Sequence, residues 1–184
     1  MDKTALILVD IQNDYFPGGK MTLEGVDAAS VNASRLLSRF REIKLPVFHI
    51  RHLAIRPGAT FFLPDTPGSE IHPSVAPRVD ETVIVKHFPN SFRETPLRDQ
   101  LKKAGVASVA VCGAMSHMCI DATVRAAWDL GFQCWVAHDA CATRALTFGP
   151  ETVPAVNVHA SFMAALAAAY AQVAPTEELI RKIV

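Results

Sequence analysis

The alternation of short apolar runs with amphipathic segments limits this chain to one broad architecture. The first run, Thr4–Val9, is apolar at nearly every position, as a strand buried on both faces of a parallel sheet requires. Further runs of strand type cover residues 47–53, 82–86, 107–112 and 132–137, and a short one covers 172–173. Because helical patterns separate these runs, the sequence predicts an α/β fold with a doubly wound, mostly parallel sheet.

Apolar side chains at helical spacing predict the elements that connect the strands. A first helix is expected over residues 26–43 and ends before Pro46, since the residue ahead of a proline avoids the α region. Thr95 and Pro96 fit the start of a second helix, and Gly105 fits its end. A third helix is expected as far as about residue 130, and an alanine-rich one over 154–171.

Length and charge narrow the class of protein further. A chain of 184 residues, 50% of them apolar, can bury a full core as one domain over residues 1–184. Its 18 basic and 18 acidic residues cancel, which argues against nucleic-acid and membrane partners. No run approaches the roughly 18 apolar residues of a membrane span. The run ahead of Asp10 is too short for a signal peptide, so we expect a cytoplasmic protein.

The four cysteines form no CxxC pair, which disfavours zinc-binding and thioredoxin-like functions. In a reducing compartment they are expected to be free thiols. Cys112, Cys134 and Cys141 are interpreted as structural, because a free cysteine is usually a small buried apolar residue. Cys119 has a different setting, at the start of a helix.

Three polar groups follow three of the predicted strands. Asp10 ends the first strand, Lys86 ends the third, and residues 113–119 lead from the fourth strand into a helix. Ligands of open α/β sheets bind outside the carboxyl ends of the strands, so these groups are expected to converge. Taken singly, each has a structural alternative. Asp10 fits a turn cap, Lys86 a solvated strand end, and Cys119 the apolar stripe of its helix.

The position of Cys119 favours nucleophilic chemistry. Ser116 is predicted to cap the helix, which places Cys119 in its first turn. Unpaired N–H groups and the positive end of the helix dipole are expected to lower the thiol pKa there and to bind an oxyanion. A nearby carboxylate can take the thiol proton, and a lysine can stabilise the ionised pair.

These residues and the motifs around them resemble the isochorismatase-like cysteine hydrolases, a superfamily that includes nicotinamidases and N-carbamoylsarcosine amidohydrolases. The resemblance rests on residues 10–15 (DIQNDY), 86–87, 91–92, 95–97, 112–113, 119, 131–132 and 139–140. It runs in order over most of the chain. It implies a three-layer α/β/α sandwich that is usually oligomeric.

The resemblance also implies a role for each residue at the sheet edge. Cys119 matches the family's nucleophile, Asp10 its general base, and Lys86 the cation that holds the ionised pair. A cis peptide bond between Ala114 and Met115 is implied as well, which would aim the Met115 and Cys119 N–H groups at an oxyanion. The implied reaction is attack on an amide or ureido carbonyl, followed by hydrolysis of a thioester. The cysteine favours this amidase branch, because isochorismatase itself lacks it.

Five further residues are candidates for contact with substrate. Tyr15 matches the family's pocket-lining aromatic position. Phe61 and Phe62 lie in a long loop and are expected to close over the pocket. His117 faces the turn of the nucleophile, although a plain histidine at a helix start fits it equally well. Gln12 is expected to orient the Asp10 region.

No metal and no other cofactor are expected. The nicotinamidases of the family hold a divalent metal through an aspartate and histidines after the second strand, and here that region lacks the aspartate. His49 and His52 are three residues apart on a strand, so they point to opposite faces. His72, the remaining candidate ligand, lies far along the loop.

The proline-rich segment 56–78 is too long for an ordinary connection in a compact domain. A lid over the site and a surface that packs on a partner subunit fit it equally well. Together with the alanine-rich helix it predicts a homodimer or homotetramer.

We therefore expect a metal-independent cysteine hydrolase of a small amide, ureido or carbamoyl compound. One alternative is a nicotinamidase-type, metal-assisted amidase, which bound zinc or iron would favour. The other is a catalytically idle relative that serves as a binding or oligomeric module, and the intact set of aspartate, lysine and cysteine argues against it.

Overall fold

The computed structural model describes residues 3–183. Its strands are β1 (Thr4–Val9), β2 (Val47–His52), β3 (Thr82–Lys86), β4 (Ser108–Ala114), β5 (Gln133–Ala142), β6 (Leu146–Phe148), β7 (Glu151–Val153) and β8 (Gln172–Ala174). Its α-helices are α1 (Val26–Glu42), α2 (Leu97–Lys103), α3 (Asp121–Asp129), α4 (Ala155–Ala169) and α5 (Thr176–Lys182). None of these helices has both the length and the apolar character that crossing a membrane requires.

Six parallel strands form the central sheet in the order β3-β2-β1-β4-β5-β8. β1 lies near the middle and is buried along its whole length, which is why its sequence is apolar throughout. The chain winds from β1 toward one edge of the sheet and from β3 back toward the other. Right-handed crossovers therefore place α1 on one face of the sheet and α2, α3 and α4 on the other. The predicted α/β sandwich with a mostly parallel sheet is confirmed.

The predicted elements are present with shifted ends, and a hairpin and a helix of the described residues were missed. β4 and β5 run on to Ala114 and Ala142, beyond their predicted ends, through a register shift between Val111 and Gly113. The missed elements are the antiparallel hairpin β6-β7 and the helix α5. Both are short, and the hairpin strands expose most of their side chains, so neither leaves an amphipathic pattern in the sequence.

Gly113 lies where β4 passes β1 on its way to the carboxyl edge of the sheet. Its φ of 124° is one that side-chain-bearing residues rarely adopt. A Cβ atom at this position would overlap the carbonyl oxygen of Val9. The close approach of these two backbones therefore requires glycine, and it sets how the residues after both strands meet.

Gly113→Ala should destabilise the fold by at least about 2 kcal/mol, since both the overlap and the positive φ are unfavourable. Gly105→Ala is the matched control, because Gly105 also has a positive φ, of 67°, but nothing lies near its Cβ position. The Gly105→Ala substitution should lower the free energy of unfolding by only about 1 kcal/mol. Urea unfolding of both variants measures the difference, and equal losses would contradict the backbone argument.

Candidate active site

The carboxyl edge of the sheet brings an acid, an amine and a thiol into contact. Asp10 follows β1, Lys86 ends β3, and Cys119 lies between β4 and α3. Lys86 Nζ lies 2.8 Å from Asp10 Oδ2 and 3.2 Å from Cys119 Sγ. The three residues are 0%, 1% and 4% exposed, respectively. Residues from three distant parts of the sequence thus meet in one buried cluster.

The backbone after β1 holds Asp10 in an uncommon conformation. Its φ of 52° lies in the left-handed region. Its N–H donates to the Ile50 carbonyl at 3.1 Å, and its carbonyl accepts from the Gln12 N–H at 3.0 Å. Apart from Lys86, no described residue contacts the carboxylate as a donor. The carboxylate therefore keeps lone pairs that can accept a proton.

Lys86 keeps its positive charge although it is buried. Burial alone lowers its pKa, but Asp10 and Cys119 more than offset this effect, so the pKa of Lys86 lies above its ordinary value. The ammonium also donates to the carbonyl oxygens of Phe88 at 3.0 Å and Pro89 at 3.3 Å. A fixed cation therefore lies between the acid and the thiol.

The turn that carries Cys119 is the π-helical turn Ser116–Ile120, and the prediction of an ordinary helix start capped by Ser116 is wrong. The Ser116 hydroxyl lies 2.8 Å from His159 Nδ1 and 3.3 Å from the Ala142 carbonyl oxygen, so it ties the turn to α4 and β5. Turns of this type are rare and often occur at functional sites.

The prediction of a lowered thiol pKa at Cys119 is also wrong for the resting site. Burial raises the pKa of the thiol, the charge of Asp10 raises it further, and Lys86 offsets only part of this effect. The thiol is therefore protonated at neutral pH and lies beside the Asp10 carboxylate. A helix dipole has little effect here, because burial and a neighbouring carboxylate both act against the thiolate.

The segment between β4 and the π-helical turn contains a cis peptide bond, which joins Ala114 to Met115. Both residues are 3% exposed. The amides of Met115 and Cys119 therefore belong to one short buried segment that begins at the end of β4.

Aromatic side chains form a wall beside the cluster. Tyr15 is 2% exposed, and its ring centroid lies 4.5 Å from that of Phe62 and 6.0 Å from that of Phe61. Burial raises the pKa of the Tyr15 hydroxyl well above its usual value, and the charges of Cys119 and Asp10 raise it further. Tyr15 therefore lies close to the buried cluster.

The long loop is anchored to its own chain beside the site. The Asp14 carboxylate accepts hydrogen bonds from the N–H groups of Phe62 at 2.6 Å and Lys20 at 3.1 Å. Gly68 packs so closely on this carboxylate that a Cβ atom there would overlap it. This anchoring holds the loop beside the cluster.

Gln12 connects this loop to the sheet. Its side-chain amide donates to the carbonyls of His52 at 2.9 Å and Ser69 at 2.8 Å, and its carbonyl oxygen accepts from the His52 N–H at 2.7 Å. Gln12 is fully buried. Both of its donors are used by the backbone, so the geometry supports positioning of the Asp10 region and no direct contact with substrate.

His117 and an arginine that sequence analysis missed lie at the same edge. His117 Nδ1 lies 2.6 Å from Thr143 Oγ1, and its ring meets Phe162 edge-on at 6.0 Å. Burial lowers the pKa of His117, and Arg144 lowers it further. The Arg144 charge also lowers the pKa of the Tyr15 hydroxyl, in opposition to burial. The Arg144 guanidinium is exposed, and among residues 3–183 it makes no hydrogen bond or ion pair. The position of Arg144 shortly after β5, at the carboxyl edge of the sheet, could have identified it from the sequence.

Two of the candidate metal ligands lie away from the cluster. His49 Nε2 lies 2.9 Å from Glu81 Oε2 on the other side of β2. His72 stacks on Phe16 at 3.5 Å between ring centroids. As the strand pattern predicted, His49 and His52 do not share a site.

The third candidate, His52, lies beside Asp10 and Cys119. Each of these three residues offers one atom that could bind a metal ion, and the three atoms lie within 4.8 Å of one another. Lys86 Nζ lies among them and is 3.1 Å from His52 Nδ1. A permanent ammonium at this place repels a second cation, so these residues do not fit a metal ion.

The other three cysteines are buried free thiols. Burial raises the pKa of Cys134 and Cys141 to about 12 and that of Cys112 well above its usual value. Cys134 and Cys141 donate to backbone carbonyls. The Asp139 charge also raises the pKa of Cys112 and Cys141, but this carboxylate accepts hydrogen bonds from the Thr176 N–H and hydroxyl. This arrangement fits the predicted structural role of these thiols.

Comparison with known proteins agrees with this fold. The isochorismatase domain model matches residues 4–178. The chain is 53% identical over 178 residues to the uncharacterized isochorismatase family protein YddQ of Bacillus subtilis, covering 97% of this chain and 99% of that protein. A crystal structure from Oleispira antarctica, of a protein classed as an isochorismatase hydrolase, has a TM-score of 0.94 at 51% identity and covers 98% of this chain and 97% of that chain.

A relative with a named activity is streptothricin hydrolase of Streptomyces noursei, 38% identical over 154 residues, covering 82% of this chain and 60% of that protein. The fold and these matches together place the chain among the isochorismatase-type hydrolases. The chain belongs to the isochorismatase family, as its motifs predicted.

The rate at which iodoacetamide alkylates Cys119 should keep rising between about pH 7 and about pH 10. It should not level off near the ordinary thiol pKa of about 8.5. Asp10→Asn removes a negative charge beside the sulfur, which lowers the thiol pKa and should accelerate alkylation at any given pH. Lys86→Met removes the cation and should slow it. Mass spectrometry of the Cys119 peptide gives the rates, and an alkylation rate that levels off near pH 8.5 in the wild-type protein would count against the raised thiol pKa.

Proposed function

We propose that this chain is a cysteine-dependent hydrolase that cleaves a small amide, ureido or carbamoyl compound through a thioester. The observation that carries the proposal is the buried cluster in which Lys86 contacts both Asp10 and Cys119, with the thiol beside the carboxylate. The carboxylate keeps lone pairs that no other donor uses. A protonated thiol beside it can therefore transfer its proton as the sulfur attacks. The activity named for the streptothricin relative supports a hydrolytic reaction.

In the first half of the proposed reaction, the Cys119 sulfur bonds to the substrate carbonyl carbon while Asp10 takes the thiol proton. The N–H groups of Met115 and Cys119 hold the oxygen that becomes negative. The carbon–nitrogen bond then breaks, and Asp10 returns the proton to the leaving nitrogen. Ammonia or an amine departs, and a thioester remains on the enzyme.

In the second half, water attacks the thioester and Asp10 accepts a proton from it. The carbon–sulfur bond breaks, the thiol regains its proton, and the acid product leaves. Lys86 stays cationic throughout and stabilises the negative charge that moves between Asp10 and the sulfur. No step needs a metal ion, in keeping with the position of the ammonium.

The walls of the site favour a small planar substrate. Tyr15 and Phe62 supply flat apolar surfaces beside the cluster, and Cys119 is only 4% exposed. Entry therefore requires the loop bearing Phe61 and Phe62 to move. The exposed Arg144 guanidinium near Tyr15 and His117 would favour substrates with an anionic group.

The decisive assay measures ammonia release from nicotinamide, N-carbamoyl amino acids, ureidoacrylate, biuret and aliphatic amides, together with loss of intact streptothricin. Cys119→Ala should lower the rate by at least roughly 10³-fold, because the nucleophile is gone. Cys134→Ala, which removes another buried thiol, should keep it within about threefold. A chelator should change nothing.

Turnover that survives Cys119→Ala would overturn the cysteine mechanism. Turnover lost to the chelator would favour the metal-assisted alternative. The absence of turnover from all compounds would favour a binding role for the chain.

We also propose that the chain forms a homodimer or homotetramer through α4 and the β6-β7 hairpin. α4 contains no charged residue and exposes Val156, and the hairpin exposes Phe148. An isolated two-stranded hairpin is marginally stable in water, so a partner that covers it would stabilise it. The uncharged surface suits a second copy of itself.

Light scattering should show a dimer or tetramer. Val156→Glu should shift this assembly toward the monomer, since it buries a charge in the proposed interface. Val79→Glu is the matched control, because Val79 is fully exposed away from α4 and should tolerate the change. A monomeric wild-type protein would contradict the proposal.

A further inference from the structure

We infer that His159 of α4 is a positioning residue for Cys119, on which it acts through the hydroxyl of Ser116. This inference rests on the proposed cysteine-dependent hydrolysis, and it adds to that reaction a helix far along the chain. Three features of the structure carry it: the hydrogen bonds of Ser116, the face of α4 that lies against them, and the form of the turn Ser116–Ile120.

The hydroxyl of Ser116 joins the turn that carries Cys119 to two other elements. Its oxygen lies 3.3 Å from the carbonyl oxygen of Ala142, at the end of β5, and 2.8 Å from Nδ1 of His159. Ser116 is 0% exposed, so these two groups are the partners that its hydroxyl has in place of water. A buried hydroxyl deprived of a partner is unfavourable, and Ser116 is therefore held against both elements.

The two hydrogen bonds need His159 as a donor. A hydroxyl has one hydrogen, and the Ala142 carbonyl can only accept, so the hydroxyl of Ser116 donates to that carbonyl. The serine oxygen then accepts, and Nδ1 of His159 must donate to it. Burial lowers the pKa of His159, and the charge of His138 lowers it further, so the ring is neutral at neutral pH and its proton resides on Nδ1.

One face of α4 lies against this turn. His159 and Phe162 are three residues apart in the helix, so their side chains lie on the same face. The ring of Phe162 meets that of His117 edge-on, with 6.0 Å between the centroids, and His117 follows Ser116 directly. Two consecutive residues of the turn therefore contact α4, and Ser116 is hydrogen-bonded to it.

The turn depends on this support because its form is uncommon. Ser116–Ile120 is π-helical, and the Ile120 N–H donates to the carbonyl of Met115, five residues earlier, at 3.2 Å. Helices ordinarily form hydrogen bonds four residues apart, and a change to that pattern would rotate Cys119 away from its present direction. A fixed Ser116 therefore keeps the Cys119 sulfur 3.2 Å from Lys86 Nζ.

His159→Leu tests this inference, because leucine fills much of the same volume but has no donor for Ser116. In this variant kcat should fall by at least about tenfold while KM stays within about threefold, since the reacting sulfur is displaced. The rate of Cys119 alkylation at about pH 7 should rise by at least about tenfold, because a sulfur displaced from the buried cluster regains a more ordinary thiol pKa. A purely structural role would not produce these opposite changes in folded protein.

His159→Asn is the conservative variant, since its side-chain amide can place a donor near the Nδ1 position. Its turnover and alkylation rates should both return to within about threefold of the wild-type values. His138→Leu is the matched control, because it removes a neighbouring imidazole whose ring centroid lies 6.4 Å from that of His159. It should change neither rate.

A double variant tests whether the effect passes through Ser116. Ser116→Ala should reproduce both changes, and its combination with His159→Leu should go no further, because both substitutions remove the same hydrogen bond. Additive changes would overturn the inference, as would an alkylation rate in His159→Leu that equals or falls below that of the wild type. If His159→Leu does not fold, Ser116→Ala is compared with Ser116→Thr, which keeps the hydroxyl, and equal alkylation of these two would also overturn it.

Alkylation needs no substrate, so this inference and the proposed hydrolysis fail separately. Faster alkylation in His159→Leu and its reversal in His159→Asn, without turnover of any compound, would support the positioning of Cys119 and count against the hydrolysis. Turnover by the wild-type protein with unchanged alkylation in His159→Leu would leave the hydrolysis standing and overturn the role of His159.

Discussion

The buried ammonium of Lys86 is the interaction on which the rest of the site depends. It holds the Asp10 carboxylate at 2.8 Å and the Cys119 sulfur at 3.2 Å, and it donates to two backbone carbonyls of the segment after β3. A charge in this position is tolerated only because every neighbour is an acceptor. The same charge excludes a metal ion and fixes the tautomer of His52. The electrostatics of the cluster and its poor fit to a metal ion therefore both follow from one side chain.

The fold and the three central residues were predictable because the signals that specify them are local. A buried strand such as Thr4–Val9 is apolar throughout, and the polar residue that ends it stands out. Parallel strands place their carboxyl ends at one edge, so Asp10 and Lys86 were expected to meet. The π-helical turn was not predictable, since its sequence continues smoothly into that of α3. Its consequence, a buried protonated thiol, depends on packing against Asp10 that no local pattern records.

The histidines also show that a local sequence pattern does not predict contacts between distant strands. Strand alternation correctly separated His49 from His52, because it depends only on backbone geometry. It did not show that His52 lies against Lys86, since that contact depends on the register between β2 and β3. Arg144 was missed for a related reason: β5 continues past its predicted end, and the residue after it therefore reaches the site.

The burial of all four thiols has a consequence for the whole protein. In an unfolded chain each would ionise near pH 8.5, whereas folding raises the pKa of Cys112, Cys119, Cys134 and Cys141. The folded state thus binds these protons more tightly. The resulting stabilisation is complete below the unfolded pKa and is lost as the pH rises toward the folded values. Moderately alkaline solutions are therefore a thermodynamic stress for this fold, while the same retained protons keep its cysteines poor targets for oxidants, which react with the thiolate.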